Sequence, residues 1–175
     1  MAIPLPSTDT KTAIDYSAKA KDLLPFEATG RHTCTLLAFR FNPACDENQN
    51  KANFRAKFRI DASTNPEHVG RTYQYYFPVG RPGKGQGYDD ARRRQFLGAL
   101  APTPVNIADP SVKTDPIQQD LVDLTDAGVL DTLGRKFMLS RQDGKPREVQ
   151  IKDSKGNVLA TETKTYTDDV FFRAE

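Results

Sequence analysis

The sequence predicts a mainly β fold. The expected form is a small five-stranded antiparallel barrel, with a helical insertion between strands three and four and a short N-terminal helix. Three observations predict it. Apolar residues are only 37% of the 175, yet ten Phe and six Tyr are among them, a composition that suits strands. Apolar and polar residues alternate strictly from Asn53 to Ala62. Runs rich in Gly, Pro and Asn separate the alternating stretches and mark turns.

Each element has its own local reason. Residues 1–12 carry Pro4 and Pro6 and read as a loose arm. Residues 13–24 place Ile14, Ala18, Ala20, Leu23 and Leu24 at helical spacing, with Asp15 early and Lys19 and Lys21 late, and Pro25 ends them. The predicted organisation is therefore an arm and short helix over 1–29 and one domain over 30–175. Gly30 opens a first strand, Arg31 to Phe41, and residues 42–52 are a loop by composition. In the second strand Phe54, Ala56, Phe58 and Ile60 form one face and Arg55, Lys57 and Arg59 the other, as a half-buried strand requires. Asn65-Pro66 turns the chain into a third strand, Arg71 to Phe77. Its two faces are Arg71, Tyr73, Tyr75 and Phe77 against Thr72, Gln74 and Tyr76, and the sequence leaves open which of them points inward.

Val79 to Gly87 is glycine-rich and basic and is expected as a mobile loop. Asp89 or Asp90 is then placed to cap a helix from Ala91 to Leu100, and Asp115-Pro116 to open a second over Ile117 to Leu124. Gly134 precedes a fourth strand, Arg135 to Arg141. After a hairpin loop, Arg147 to Lys152 is expected as the fifth strand with Val149 and Ile151 inward. Asn157 to Tyr166 and a closing Val170-Phe171-Phe172 follow. Three antiparallel strands, a helical connection and a final hairpin is the order of elements in an OB-type barrel, whose second and third strands offer an outer binding face. A jelly roll or open sandwich is the alternative.

The formal net charge is only +2, but it is segregated. Residues 31–94 carry twelve Lys/Arg against six Asp/Glu, a net of +6, while 1–30 and 95–175 are net −1 and −3. Such asymmetry points to a polyanionic partner, or else to solubilising charge that happens to cluster. No apolar run approaches the ~20 residues of a membrane helix, and Met1 to Ser7 lacks the pattern of a secretory signal, so no membrane association is expected. Cys34 and Cys45 sit in no metal or redox spacing, which fits free thiols in a reducing compartment, the cytoplasm.

Catalytic and cofactor patterns are wanting. His32 and Cys34 share a strand face, but with no second ligand pair they make poor zinc ligands, and packing is the better role for Cys34. The glycines over 80–87 lack the Lys-Ser/Thr of a phosphate loop, and no serine sits in a nucleophile elbow. Asp89-Asp90 and Asp168-Asp169 are carboxylate pairs better read as a helix cap and a turn. No enzyme activity and no cofactor are expected. What the sequence does supply is aromatic residues interleaved with cations, the two ingredients of single-strand binding: stacking platforms and a positive track. The candidate residues are Arg40, Arg55, Lys57, Arg59, Arg71, Tyr73, Tyr75 and Tyr76 on the strands, Arg81 and Lys84 in the glycine-rich loop, and Arg92 and Arg93 on the helix. Three cations on one strand face repel one another unless something anionic lies there.

These stretches, together with Gly30-Arg31-His32, Gly70 to Phe77, Phe96-Leu97 and Leu133-Gly134-Arg135-Lys136-Phe137, resemble the small OB-fold single-stranded DNA-binding proteins of bacteriophage replication modules. The similarity spans roughly residues 30–141. It implies a non-catalytic protein that coats exposed strands during DNA replication and recombination in the host cytoplasm. It brings Lys136 into the candidate surface and makes replication or recombination proteins further partners. The chain departs from the pattern at its end, where Thr167 to Glu175 is short and only mildly acidic in place of a long acidic tail. An exposed final strand, Val170 to Phe172, would make a homodimer. Two other functions fit less well: a virion component, such as a tail or head-completion protein, and a metal-dependent nuclease using Asp61, Asp89 or Asp90.

Overall fold

The computed structural model describes residues 22–44, 51–80, 84–131 and 134–175. The expected N-terminal arm and most of the helix expected over 13–24 lie outside them. Among the described residues seven strands and two helices follow in order: β1 Gly30–Asn42, β2 Asn53–Ser63, β3 Thr72–Pro78, α1 Lys84–Ala99, α2 Asp115–Asp126, β4 Lys136–Asp143, β5 Arg147–Lys152, β6 Val158–Lys164 and β7 Thr167–Arg173. A short 3-10 turn, Pro66–His68, joins β2 to β3, with the Asn65 side chain accepting from the Glu67 N–H.

Five strands form one antiparallel sheet in the order β3-β2-β1-β4-β7, while β5 and β6 form a separate two-stranded sheet. The fold is thus mainly β with a five-stranded antiparallel sheet. The sheet curls so that rings from its two outermost strands meet: Tyr75 on β3 and Phe171 on β7 lie 5.2 Å apart, edge to face. Helix α1 lies across the mouth of the curl. Its Phe96 is fully buried and packs within 6 Å of Phe39, Phe77, Phe137 and Phe171. Seven of the ten phenylalanines, Phe39, Phe54, Phe58, Phe77, Phe96, Phe137 and Phe171, form one aromatic core, strand alternation supplying all but the helical Phe96. Helix α2 lies against β1, where the Thr125 hydroxyl accepts the Phe39 N–H beyond the point at which β4 stops pairing.

Three expectations are corrected. Arg147 to Lys152 is not the fifth strand of the barrel. It pairs only with β6, and Val158 and Leu159 are 51% and 67% exposed. The fifth sheet strand is β7, paired with β4 through Phe171 opposite Leu139. Sequence alternation cannot separate a strand that closes a sheet from one that stands off it, because both alternate.

The glycine-rich stretch is not all loop. Helix begins at Lys84, so Gly85 and Gly87 are helical and Asp89 and Asp90 lie inside α1 instead of capping it. Asp90 pairs with Arg93, one helical turn on, at 3.1 Å.

Val170 to Phe172 is not a free edge either. On one side it pairs with β4, and on the other the Phe171 N–H donates to Oε1 of Gln95 on α1. Covering an edge with a helix is a usual way to prevent strand addition.

One buried polar group anchors the chain entry to this frame. Arg141 is fully buried on β4, and its Nε donates to Asp169 Oδ1 at 2.9 Å. Its Nη2 donates to the Phe26 carbonyl and the Thr167 hydroxyl, and the guanidinium lies 4.7 Å over the Tyr73 ring. Distributing its donors over several acceptors in this way is what lets a guanidinium sit out of water. Burial nonetheless pushes the Asp169 carboxyl up from its ordinary value, against the pull of Arg141.

Candidate functional site

Strand pairing determines which cations share a surface. On β2 the inward residues Phe54, Ala56, Phe58 and Ile60 are all buried, which turns Arg55, Lys57 and Arg59 outward. On β3 the inward face is Tyr73, Tyr75 and Phe77, packed against the core, so Gln74 and Tyr76 face out. The question the sequence left open is settled by Phe77, 1% exposed, and by burial raising the phenol pKa of both Tyr73 and Tyr75. Tyr73 and Tyr75, expected as stacking platforms, belong to the core wall. Tyr76 is the outward tyrosine, 52% exposed.

Strand β1 contributes through an irregularity. Its register against β2 slips between Leu36 and Ala38, so Leu37 is an extra residue and the inward run passes from Leu36 to Phe39. The slip turns Ala38 and Arg40 outward. Arg40 then stands directly opposite Arg55, and Arg55 opposite Tyr76. The next row is Ala38, Lys57 and Gln74. Leu37, Ala38, Arg40, Arg55, Lys57 and Gln74 line a depression of about 340 Å³ on this outer face. Ala38 makes it possible, since its small side chain leaves space between the two cations on β2 and Arg40 on β1.

Among the described residues, no hydrogen bond or ion pair engages the side chains of Arg40, Arg55 or Lys57. Two like charges directly opposed on neighbouring strands are unfavourable, so an arrangement that keeps them unpaired stores affinity for an anion. Arg59 differs. A second register slip between Thr33 and Cys34 leaves Asp61 as the extra residue on β2. Its carboxylate takes a hydrogen bond from the Thr35 hydroxyl and pairs with Arg59 Nε at 3.0 Å.

The remaining candidates are dispersed. Lys136 is exposed at the start of β4, opposite Thr35 and one strand from Arg59, so it shares the outer face. Arg71 is committed to the Glu67 and Leu23 carbonyls and holds the entry segment. Arg92 pairs with Asp168 at 3.0 Å and donates to the Tyr88 hydroxyl at the mouth of the curl. Arg93 pairs with Asp90 and lies 5.5 Å over the Phe54 ring. Arg81 and the side chain of Lys84 lie outside the described residues. The outer face therefore gathers Arg40, Arg55, Lys57, Arg59, Tyr76 and Lys136, and the helix arginines do not join it. Sequence reasoning missed Leu37, Ala38 and Gln74. The unbroken apolar run Leu36-Leu37-Ala38 was the available signal, since a regular strand with one wet face does not show it.

Among the described residues, no group of three or more His, Cys, Asp or Glu is arranged to hold a metal ion. His32 and Cys34 are both buried, and burial pushes the Cys34 thiol well up from its ordinary value, which makes it a packing thiol. Among the described residues, no helix is long and apolar enough to cross a membrane. No family model, curated protein or solved structure matches the chain.

Proposed function

We propose that the protein binds single-stranded DNA without sequence preference, coating and protecting exposed strands during DNA replication and recombination, and that it performs no catalysis. One observation carries the proposal: Arg40, Arg55 and Lys57, which pair with no described residue, share one exposed sheet face, and Arg40 and Arg55 stand in the same cross-strand row as the outward Tyr76. Phosphates neutralise the opposed arginines, and the exposed ring of Tyr76 gives a base a π-face to stack on. Stacking of that kind accepts any base, which is why no sequence preference goes with it.

The curled five-stranded sheet supports a finer assignment to the OB type. Its strand order keeps the second and third strands side by side on an open outer face, and the β5–β6 hairpin falls in the connection between the fourth and fifth sheet strands. Host cytoplasm is the proposed compartment, with replication or recombination proteins as further partners.

The test is simultaneous replacement of Arg40, Arg55 and Lys57 by Ala. Binding of a fluorescent oligo-dT should weaken, and the slope of log affinity against log salt should flatten by about 0.7 for each phosphate that is no longer neutralised, about 2 in total. An unchanged slope would place the binding surface elsewhere. A wild-type protein that ignores oligonucleotides and assembles into rings would instead indicate a virion component.

A further inference from the structure

The outer face does not stop at the cationic rows. Across β1 it continues onto β4 and β7, where Thr33 stands opposite Met138 and Met138 opposite Phe172. Phe172 is 50% exposed, nearly as much as Tyr76 at the far side of the sheet. Together with Arg31, Ser140, Arg173 and Glu175, Met138 and Phe172 line a depression of about 330 Å³. Arg173 is committed there, since its guanidinium donates to the carbonyls of Ala101 and Pro102. Arg31 is exposed, and no hydrogen bond or ion pair to a described residue engages its side chain. Lys136, also exposed and similarly unengaged, stands on the same face between the two ends.

We propose that this depression is a second subsite of the same surface and takes one unpaired base of the single-stranded nucleic acid. Phe172 and Met138 supply the apolar platform, and Arg31 meets the adjoining phosphate. The proposal rests on the reading of the Arg40–Arg55–Tyr76 rows as a single-strand surface and extends it. Over the outer surface the Tyr76 row meets β1 at Arg40 and the Phe172 row meets it at Thr33, so four inter-strand steps of ~4.8 Å and a run along β1 at ~3.3 Å per residue put the two platforms about 30 Å apart along the sheet, a path one strand can span. Continuity and charge select this occupant. The path between the platforms passes Lys136 and the Thr33 and Thr35 side of β1, and cations flank both ends, with Glu175 the acidic member of the second lining.

The chain has no tryptophan, so Phe172→Trp installs a single reporter at the subsite. An oligo-dT of about twenty nucleotides, long enough for both platforms, is titrated against it. The expected result is quenched tryptophan emission, together with affinity about ten-fold weaker for Phe172→Ala than for wild type. Arg31→Glu, an exposed change that leaves the sheet intact, should weaken binding as well. Undiminished affinity in Phe172→Ala and Arg31→Glu, with unquenched emission, overturns the subsite. If the Arg55 and Lys57 substitutions still weaken binding, the primary reading survives that result. Emission that changes with protein concentration alone would show a second copy on the patch and also overturn the subsite. Failure of the wild type to bind oligo-dT at all removes both.

Discussion

At the residue scale, the outcome turns on which way a few side chains point. Tyr76 and Tyr75 are adjacent and alike in sequence, yet one faces water and the other packs on Phe171. Tyr76→Ala should therefore weaken oligo-dT binding by about 1–3 kcal/mol, while Tyr76→Phe, which keeps the ring, and Tyr75→Phe should leave it near wild type. Anisotropy titrations of the three variants check this, and a strong loss in Tyr75→Phe would mean the strand faces are reversed. The buried histidines make a separate prediction. His32 is fully buried, its Nδ1 is 2.8 Å from the Ser63 hydroxyl, and its ring centroid lies 5.7 Å from that of His68. Its Nε2 and the Nδ1 of His68 find no hydrogen-bond partner among the described residues. Burial, then the neighbouring His68 and Arg141 charges, lowers the His32 pKa from 6.5 to about 4. The unfolded chain thus binds the proton more readily between these values. Stability from a neutral His32 is full above pH 6.5 and is lost as pH falls toward 4, by at most about 3 kcal/mol. Urea unfolding across this range should show a shallower acid loss in His32→Asn than in wild type. Equal losses would assign the acid limb to the carboxylates.

At the element scale, strands with one wet face were legible from their sequence. The strand expected over Asn53 to Ala62 is found as β2, Asn53–Ser63, because inward Phe and outward Arg leave no second solution. The role of the C-terminal strands was not legible. Val149 and Ile151 alternate as core residues do, but β5 and β6 pair only with each other. Membership of a sheet is decided by long-range partners, which a local pattern does not contain. The start of α1 was missed for a related reason. Gly85 and Gly87 weaken a helix by roughly 1 kcal/mol each, and tertiary packing further along α1, centred on Phe96, outweighs that. The isolation of the hairpin has a consequence for stability. Removing 147–164 and rejoining the chain with a short turn should change the unfolding free energy by less than about 1 kcal/mol, because only loop closure is altered. Calorimetry or urea titration tests this, and a large loss would mean that the hairpin carries part of the core.

At the scale of the whole molecule, the near-zero net charge conceals a segregated one. Two groups of the cations of residues 31–94 part company in three dimensions. Arg40, Arg55 and Lys57 pair with no described residue on the outer face, while Arg92 and Arg93 are neutralised by Asp168 and Asp90 at the mouth of the curl. The sequence could show that positive charge was concentrated, since charge is additive along the chain. It could not show which cations were spent on internal carboxylates, because Asp168 lies 76 residues beyond Arg92. The thin apolar content also has a structural meaning. One compact aromatic core under α1 suffices for a small curled sheet, and the outer face is left free to be polar. The most direct test of that outer face as a single-strand surface is fluorescence anisotropy of the wild-type protein on single-stranded and duplex oligonucleotides of equal length across a salt series. Tighter binding of the single strand, with log affinity falling linearly as log salt rises, is the predicted result. Equal affinity for the duplex, or no binding at low salt, would contradict it.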